Sequence, residues 1–354
     1  MNDSGVKPRR ILIVKLSAVG DVVHALPALN ALRTCFPEAT IGWVAHPGPA
    51  SLLEGHPQLD YLYKFPRPRG VKEALSSVKN LRKALCDAGP WDVAIDFQGL
   101  TKSGLVSWLS GARQRIGFQG AASREVNALF MTTRVPTTAE SVIHMNLQLL
   151  APLGCHATEA RAVLIAHEDD REYIRRWAED FGFTGERFFV LDSFAGWETK
   201  RWPRARWVRV AAEVHKQYGL PTLLFHGPGE QEEAHQLAAE ISDSGGTAVV
   251  APKTTLRQYI ALLEQHAALM AGGDTGPMHI AAALGIPTVA LFGSSCSRRN
   301  APAFSNARFE AIQDFSQPCA GTFWRKCSHH APGHCMDGIT EAEVLEAVAR
   351  LLCS

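Results

Sequence analysis

A chain of 354 residues is long for one compact domain and comfortable for two, each able to bury an adequate core. Hydrophobic residues make up 46% and charged residues 20%, a globular balance that excludes a disordered, collagen-like or low-complexity chain. With 36 Lys and Arg against 35 Asp and Glu, the formal net charge of +1 provides no global field for nucleic acid, so no nucleic-acid partner is expected and any anionic ligand must be met by local patches.

The polar start, MNDSGVKPRR, runs straight into ILIV without the apolar core and cleavage site of a signal peptide, and no apolar run approaches a membrane span. The expectation is a cytoplasmic protein whose membrane contact, if any, is peripheral. Strand candidates in the first half are 10–15 (RILIVK), 40–45 (TIGWVA), 59–64 and 91–97 (WDVAIDF), continuously apolar as strands covered on both faces are. Helices are expected at 22–34, with Pro27 bending or delaying the first, then at 71–88 and 101–110. From Ala151 to Glu186 the pattern loosens, with a charged helix at 169–181. A second series then offers strands at 188–192, 221–226, 247–251, 267–273 and 286–293, with helices at 204–218, 230–243, 255–265 and 277–284. A last amphipathic helix, 339–352, should pack on the body of the protein. Alternating strands and helices are the signature of parallel α/β units. The reading is therefore α/β, with two Rossmann-like doubly wound domains facing across a cleft: an N-terminal domain over 1–165, a linker helix region over 166–186 and a C-terminal domain over 187–354.

Two strand ends stand out chemically. The first strand runs into KLSAVGDVVH (15–24), where small residues precede Asp21 at the carboxyl edge of a sheet, the place where doubly wound domains bind ligands. A carboxylate there can take a proton from an acceptor hydroxyl as a general base, or it can simply cap a helix. The missing G-x-G-x-x-G argues against a dinucleotide site. In the second half, GGDTGPMHIAAALGIPTVALFG (272–293) carries a strand into a turn and then a helix opened by Pro277. Free N–H groups at that helix start form an anion site suited to a diphosphate, with Thr275 and Gly276 as donors beside Asp274, and with His279 one turn further in. A structural cap with a buried His is the plainer alternative. SFAGWETKRWP (193–203) offers Lys200 to neutralise a leaving diphosphate, unless it is a solvated basic loop. Glu230 in HGPGE can accept from ribose hydroxyls, or serve as a helix N-terminal acid.

KLSAVGDVVHALPAL, the QGLTKS run at 98–103, TKRWP at 199–203 and DTGPMHIAAALGIPTVALFG together resemble the bacterial heptosyltransferases of glycosyltransferase family 9, in order over essentially the whole chain. DFQGLTKSG and GFQGAASREVNALF are most similar to the members that add the first heptose of the lipopolysaccharide inner core. The resemblance implies a GT-B fold and an inverting, metal-independent reaction without a cofactor, moving L-glycero-D-manno-heptose from ADP-heptose to Kdo of Kdo2-lipid A. It implies work at the inner face of the cytoplasmic membrane. It carries Asp21 over as catalytic base and Lys200, Glu230, Asp274, Thr275, Gly276 and His279 as donor contacts. Lys102 and Arg124 fall in family-like motifs and are assigned to the anionic acceptor; Arg67, Arg69 and Lys72 form another basic cluster of the first domain, with Arg115 on a later loop. Ala195 and Gly196 depart from the pattern, standing where hydroxyl residues would reach a phosphate. Other acceptors, or a non-catalytic nucleotide-sugar-binding protein on the same shell, remain alternatives.

Eight cysteines complete the inventory. Cys35, Cys86, Cys155 and Cys296 read as ordinary thiols. Cys319, Cys327 and Cys335 lie among His329, His330 and His334 but lack a C-x-x-C pair, so no metal site is assigned and a reduced loop is the simpler reading.

Overall fold

The computed structural model describes residues 7–327 and 334–353. Two compact units divide the chain, one ending at Val163 and the other beginning at Leu164. The first unit contains β1 (Arg10–Val14), α1 (Val19–Val23), α2 (Leu26–Cys35), β2 (Thr40–Ala45), α3 (Pro47–Ala50) and β3 (Tyr61–Lys64). It continues through α4 (Val71–Asp87), β4 (Val93–Asp96), α5 (Thr101–Leu109), β5 (Gln114–Phe118), β6 (Thr133–Val135) and α6 (Val142–Gln148). Its sheet has the order β3-β2-β1-β4-β5-β6, with every pairing parallel. The strand order reverses between β1 and β4, so the loops leaving these two strands flank a topological switch point.

The second unit repeats the plan with α7 (Glu168–Asp180), β7 (Phe188–Asp192), α8 (Arg204–Tyr218), β8 (Thr222–Leu224), α9 (Gln231–Asp243), β9 (Ala248–Val250) and α10 (Leu256–His266). Then follow β10 (Ala267–Gly273), α11 (Gly276–Ala283), β11 (Thr288–Phe292), α12 (Ser297–Asn300), β12 (Phe309–Gln313) and α13 (Glu341–Cys353). The order β12-β11-β10-β7-β8-β9 is again all parallel and reverses between β7 and β10. Every residue of β7 and β11 is buried, which is why these strands read as unbroken apolar runs. Their core contains Phe189, Leu191, Trp207, Leu269 and Leu291, closed on one side by Val344, Val348 and Leu351 of α13.

Several local expectations needed revision. The helix expected at 22–34 is two segments, because Pro27 sits in the first turn of a new helix instead of bending a continuous one. β5, β6 and β12 were not expected. Their exposure explains the miss: Gln114, Arg115 and Thr133 are half-buried, Arg134 is exposed, and none of the five residues of β12 is fully buried, so no apolar run announces them. The charged helix expected at 169–181 is present as α7, and it is tied to α10 by Arg257–Asp170 (3.1 Å) and Arg171–Glu264 (2.9 Å) and by the edge of His266 meeting the Trp177 ring.

The cysteine expectations also change. Cys35 and Cys155 are not separate thiols: the end of α2 and the segment after α6 lie side by side, and the two are joined with Cα atoms 5.9 Å apart. Cys319 and Cys335 are joined likewise across 6.0 Å, so the loop is not fully reduced, while Cys86, Cys296 and Cys327 are free. His329 and His330 lie outside the described residues. Among the described residues no group of three His, Cys, Asp or Glu side chains is placed to hold a metal ion, and no helix is long and apolar enough to cross a membrane.

Candidate functional site

At the switch point of the first unit, the loop after β1 is held by the loop after β4. The Gln98 Oε1 accepts from the N–H groups of Leu16 (3.1 Å) and Ser17 (3.2 Å). Gln98 is itself set by Asp96, the last residue of β4, whose buried carboxylate accepts from the N–H groups of Gln98 and Gly99, from Ser103 Oγ (2.8 Å) and from Asn127 Nδ2 (2.7 Å). Burial pushes the Asp96 carboxyl up in spite of those four donors. Gly99 has φ +70°, and a Cβ there would strike the Ala122 carbonyl, so the QGLTKS run needs glycine for both conformation and space.

Asp21 lies in α1 with its side chain 42% exposed. Its Oδ2 accepts from the Ala18 N–H at 2.9 Å, and its Oδ1 is 3.4 Å from the ammonium of Lys15. Partial burial pushes its carboxyl up, but Lys15, the Ala18 N–H and His24 together outweigh this and hold it below its ordinary value. Asp21 is therefore an ionised acceptor at neutral pH. Lys15, only 4% exposed, also donates to the Phe97 carbonyl at 2.9 Å, so its charge is fixed beside the acid. Arg67 reaches the same loop through a 3.4 Å bond from Nη2 to Ser17 Oγ. The charges of Arg67 and Lys102 both bear on His46, and burial followed by Arg67 lowers the Lys102 ammonium's pKa. Lys102 and Arg67 thus form one basic group at this edge. Arg124 is exposed, and its backbone N–H donates to the Gly99 carbonyl at 2.8 Å.

At the switch point of the second unit, the turn after β10 meets the loop after β7. Lys200 Nζ donates to Asp274 Oδ2 (2.7 Å) and to the Asp274 carbonyl (2.9 Å), and it lies 4.5 Å from the Trp197 ring centroid. His279 Nε2 and Asp274 Oδ1 are 2.8 Å apart, and Asn300 Nδ2 donates to Oδ2 at 3.3 Å. Burial pushes the Asp274 carboxyl up, but the His279 bond and the Lys200 charge hold it well below the usual range. This carboxylate gathers Lys200, His279 and Asn300 around the turn. Thr275 is the N-cap of α11, yet its hydroxyl does not cap the helix; it donates to Asp192 Oδ2 at 2.6 Å. Gly276 and Pro277 open the helix; proline has no N–H and the His279 N–H bonds the Thr275 carbonyl at 3.3 Å, which leaves the N–H groups of Gly276 and Met278 without an acceptor inside the helix. Glu230 folds back on its own turn, its Oε2 accepting from the Gly227 N–H at 2.7 Å. A Cβ on Gly273 would meet the Lys200 carbonyl at 2.7 Å, so the close approach of the two loops depends on that glycine.

A family profile described as glycosyltransferase family 9 (heptosyltransferase) matches residues 78–330. The chain belongs to glycosyltransferase family 9. It is a glycosyltransferase of the heptosyltransferase group. It is 28% identical to lipopolysaccharide heptosyltransferase 1 of Pseudomonas aeruginosa over 334 residues, covering 90% of this chain and 88% of the relative. A family 9 glycosyltransferase from Veillonella parvula superposes with a TM-score of 0.80 at 22% identity, over 98% of this chain and 97% of that one. The Escherichia coli heptosyltransferase WaaC, solved with ADP-2-deoxy-2-fluoro heptose, gives 0.71 at 22% identity over 96% and 99%. These likenesses give the heptosyltransferase a GT-B fold.

Within each unit of this heptosyltransferase, the residues singled out in the sequence come together. Asp21 stands with Lys15 beside the Gln98 loop, Lys102 groups with Arg67, and Arg124 meets the Gln98 loop through its backbone N–H; Lys200, Asp274, Thr275, Gly276 and His279 form one cluster, with Glu230 on the neighbouring loop. Asp21 precedes the segment matched by the family profile, whereas the others lie inside it. Three side chains were overlooked. Lys15 directly follows β1 and Asp192 is the last residue of β7, and a charge at the end of a buried apolar run was the available signal. Asn300 lies in a short helix with no motif around it.

Proposed function

We propose that this heptosyltransferase moves L-glycero-D-manno-heptose from ADP-heptose to Kdo of Kdo2-lipid A, with inversion and without a metal cofactor. The observation that carries the reading is the Lys200–Asp274–Thr275 cluster at the start of α11, where an ammonium, a hydroxyl and helix N–H groups converge as a diphosphate requires. Asp21 supplies the other half. Ionised and fixed by Lys15, it accepts the proton of the acceptor hydroxyl as that oxygen bonds the anomeric carbon and the bond to the diphosphate breaks. A carboxylate held below its ordinary value is a weak base for a resting alcohol. It suffices in a transition state resembling an oxocarbenium ion, where the attacking hydroxyl becomes acidic only as its bond to carbon forms. Lys200 and the start of α11 stabilise the charge growing on ADP.

Within this reading, Glu230 meets the ribose, and His279 holds the turn through Asp274. Lys102, Arg124 and Arg67 receive the anionic acceptor. Such an acceptor is embedded in a lipid surface, so the protein works from the cytoplasm in peripheral contact with the inner membrane. Residues 1–165 form the acceptor domain and 187–354 the donor domain. A thermal-shift panel of ADP, UDP and GDP with their sugars tests the donor, since a ligand that binds only the folded state raises apparent stability. ADP and ADP-heptose should give the largest shifts, and a preference for UDP or GDP would reject the reading. Turnover with Kdo2-lipid A, but not with an acceptor already carrying heptose, fixes the step; the reverse preference assigns the protein to a later core sugar.

A further inference from the structure

Asp192 closes β7 and faces the turn assigned to the diphosphate. It is only 4% exposed. Its Oδ2 accepts the Thr275 hydroxyl proton at 2.6 Å, and the Phe194 N–H also donates to its carboxylate. Across the strand pair it lies opposite Gly272, where a Cβ would come within 3.2 Å of the Asp192 Cβ. The titratable groups that bear on it are Glu230 at the start of α9 and Tyr259 of α10. Lys200 and His279 bond Asp274 instead.

A hydroxyl has one proton. While Asp192 is ionised it can only accept, so the Thr275 proton points inward and the hydroxyl presents lone pairs to any ligand at the turn. Lone pairs turned toward phosphate oxygens repel them. Once Asp192 carries a proton the bond can reverse: the Asp192 O–H donates to Thr275 Oγ1, and the Thr275 proton is released to a phosphate oxygen.

We propose that Asp192 sets the direction of the Thr275 hydroxyl, and that binding of the donor's diphosphate is accompanied by uptake of one proton from solvent onto Asp192. Asp192 is a positioning residue, acting through Thr275, and the proposal rests on the diphosphate reading given above. Its protonation is within reach at neutral pH: burial, reinforced by Glu230, pushes the carboxyl up to about 7 against the pull of the Thr275 and Phe194 bonds. A diphosphate bound at Thr275 adds negative charge nearby and raises it further.

The test is calorimetry of ADP-heptose binding between about pH 6 and about pH 9, in two buffers of different ionisation enthalpy, because linkage converts proton uptake into a pH-dependent affinity. The diphosphate of ADP-heptose is a diester and lacks the phosphate ionisation near 6 of a monoester, so the ligand contributes no titration of its own. For the unmodified protein, Kd should be flat below neutrality and weaken by up to about tenfold per pH unit above it, with close to one proton taken up at the alkaline end. Asp192→Asn, which carries no titrating proton, should lose the slope. Thr275→Val should weaken binding at low pH and flatten the profile, whereas Thr275→Ser should retain the slope. A flat profile for the unmodified protein, or an unchanged slope in Asp192→Asn, overturns the proposal. Unchanged affinity in Thr275→Val at low pH overturns instead the assignment of the diphosphate to this turn. The unmodified protein suffices for the first outcome if the Asn variant does not fold.

Discussion

The two sheets reverse strand order in the same way, and each places acidic side chains at its switch point, yet the acids are treated differently. In the first unit Asp21 is partly exposed and paired with the fixed ammonium of Lys15. In the second, Asp274 is buried among Lys200, His279 and Asn300, while Asp192, on the adjoining strand end, is buried against a hydroxyl and an N–H with Glu230 nearby. Position at a switch point therefore does not decide the state of a carboxylate; its nearest cation does. Asp21 and Asp274, held low, favour the folded state above the ordinary carboxylate range of about 4, and that contribution is lost as pH falls through their lowered values. Asp192 has the opposite sign: with its folded value near 7, ionisation costs stability, and the native state gains as pH falls from about 7 toward about 4.

Removing the ionised acid of the first unit should have the largest effect. Asp21→Ala is expected to lower kcat by about 10³-fold, within the range for a lost general base. Its Kd for ADP-heptose, read by calorimetry, should stay within about twofold of the unmodified protein, as expected for a group acting only in the transition state. Near-normal turnover would remove the base assignment and with it the contrast between the units.

A smaller catalytic loss tests the second unit. Lys200→Ala should lower kcat/KM by about 10²-fold, comparable to removing one donor to a developing anion, and should weaken donor binding too. It also takes the ammonium from the buried Asp274 carboxylate, so the melting temperature should fall, more at neutral pH than in acid; breaking a buried pair costs about 3 kcal/mol. A stability loss with unchanged kcat/KM would make Lys200 a purely structural partner of Asp274.

The strong strands and both chemical edges were legible in the sequence because their signals are local: apolar runs at 10–15 and 188–192, a carboxylate after small residues at 21, and a helix opened by Gly276 and Pro277. β5, β6 and β12 were not, since their polar residues pack against neighbours that only the fold supplies. The pairing of Cys35 with Cys155 spans 120 residues and left no local trace. Motifs found Asp274 and Thr275 but not what they touch. Thr275 looked like a helix cap or a phosphate donor, and its bond to Asp192 depends on the adjacency of β7 and β10, which strand order alone decides.

The most direct measurement is the product itself. Incubation with ADP-heptose and Kdo2-lipid A in the presence of EDTA, with mass spectrometry for the sugar added and NMR for its anomeric configuration, should show one heptose joined with configuration inverted relative to the donor. No transfer, transfer abolished by the chelator, or retained configuration would contradict a single metal-free displacement assisted by Asp21.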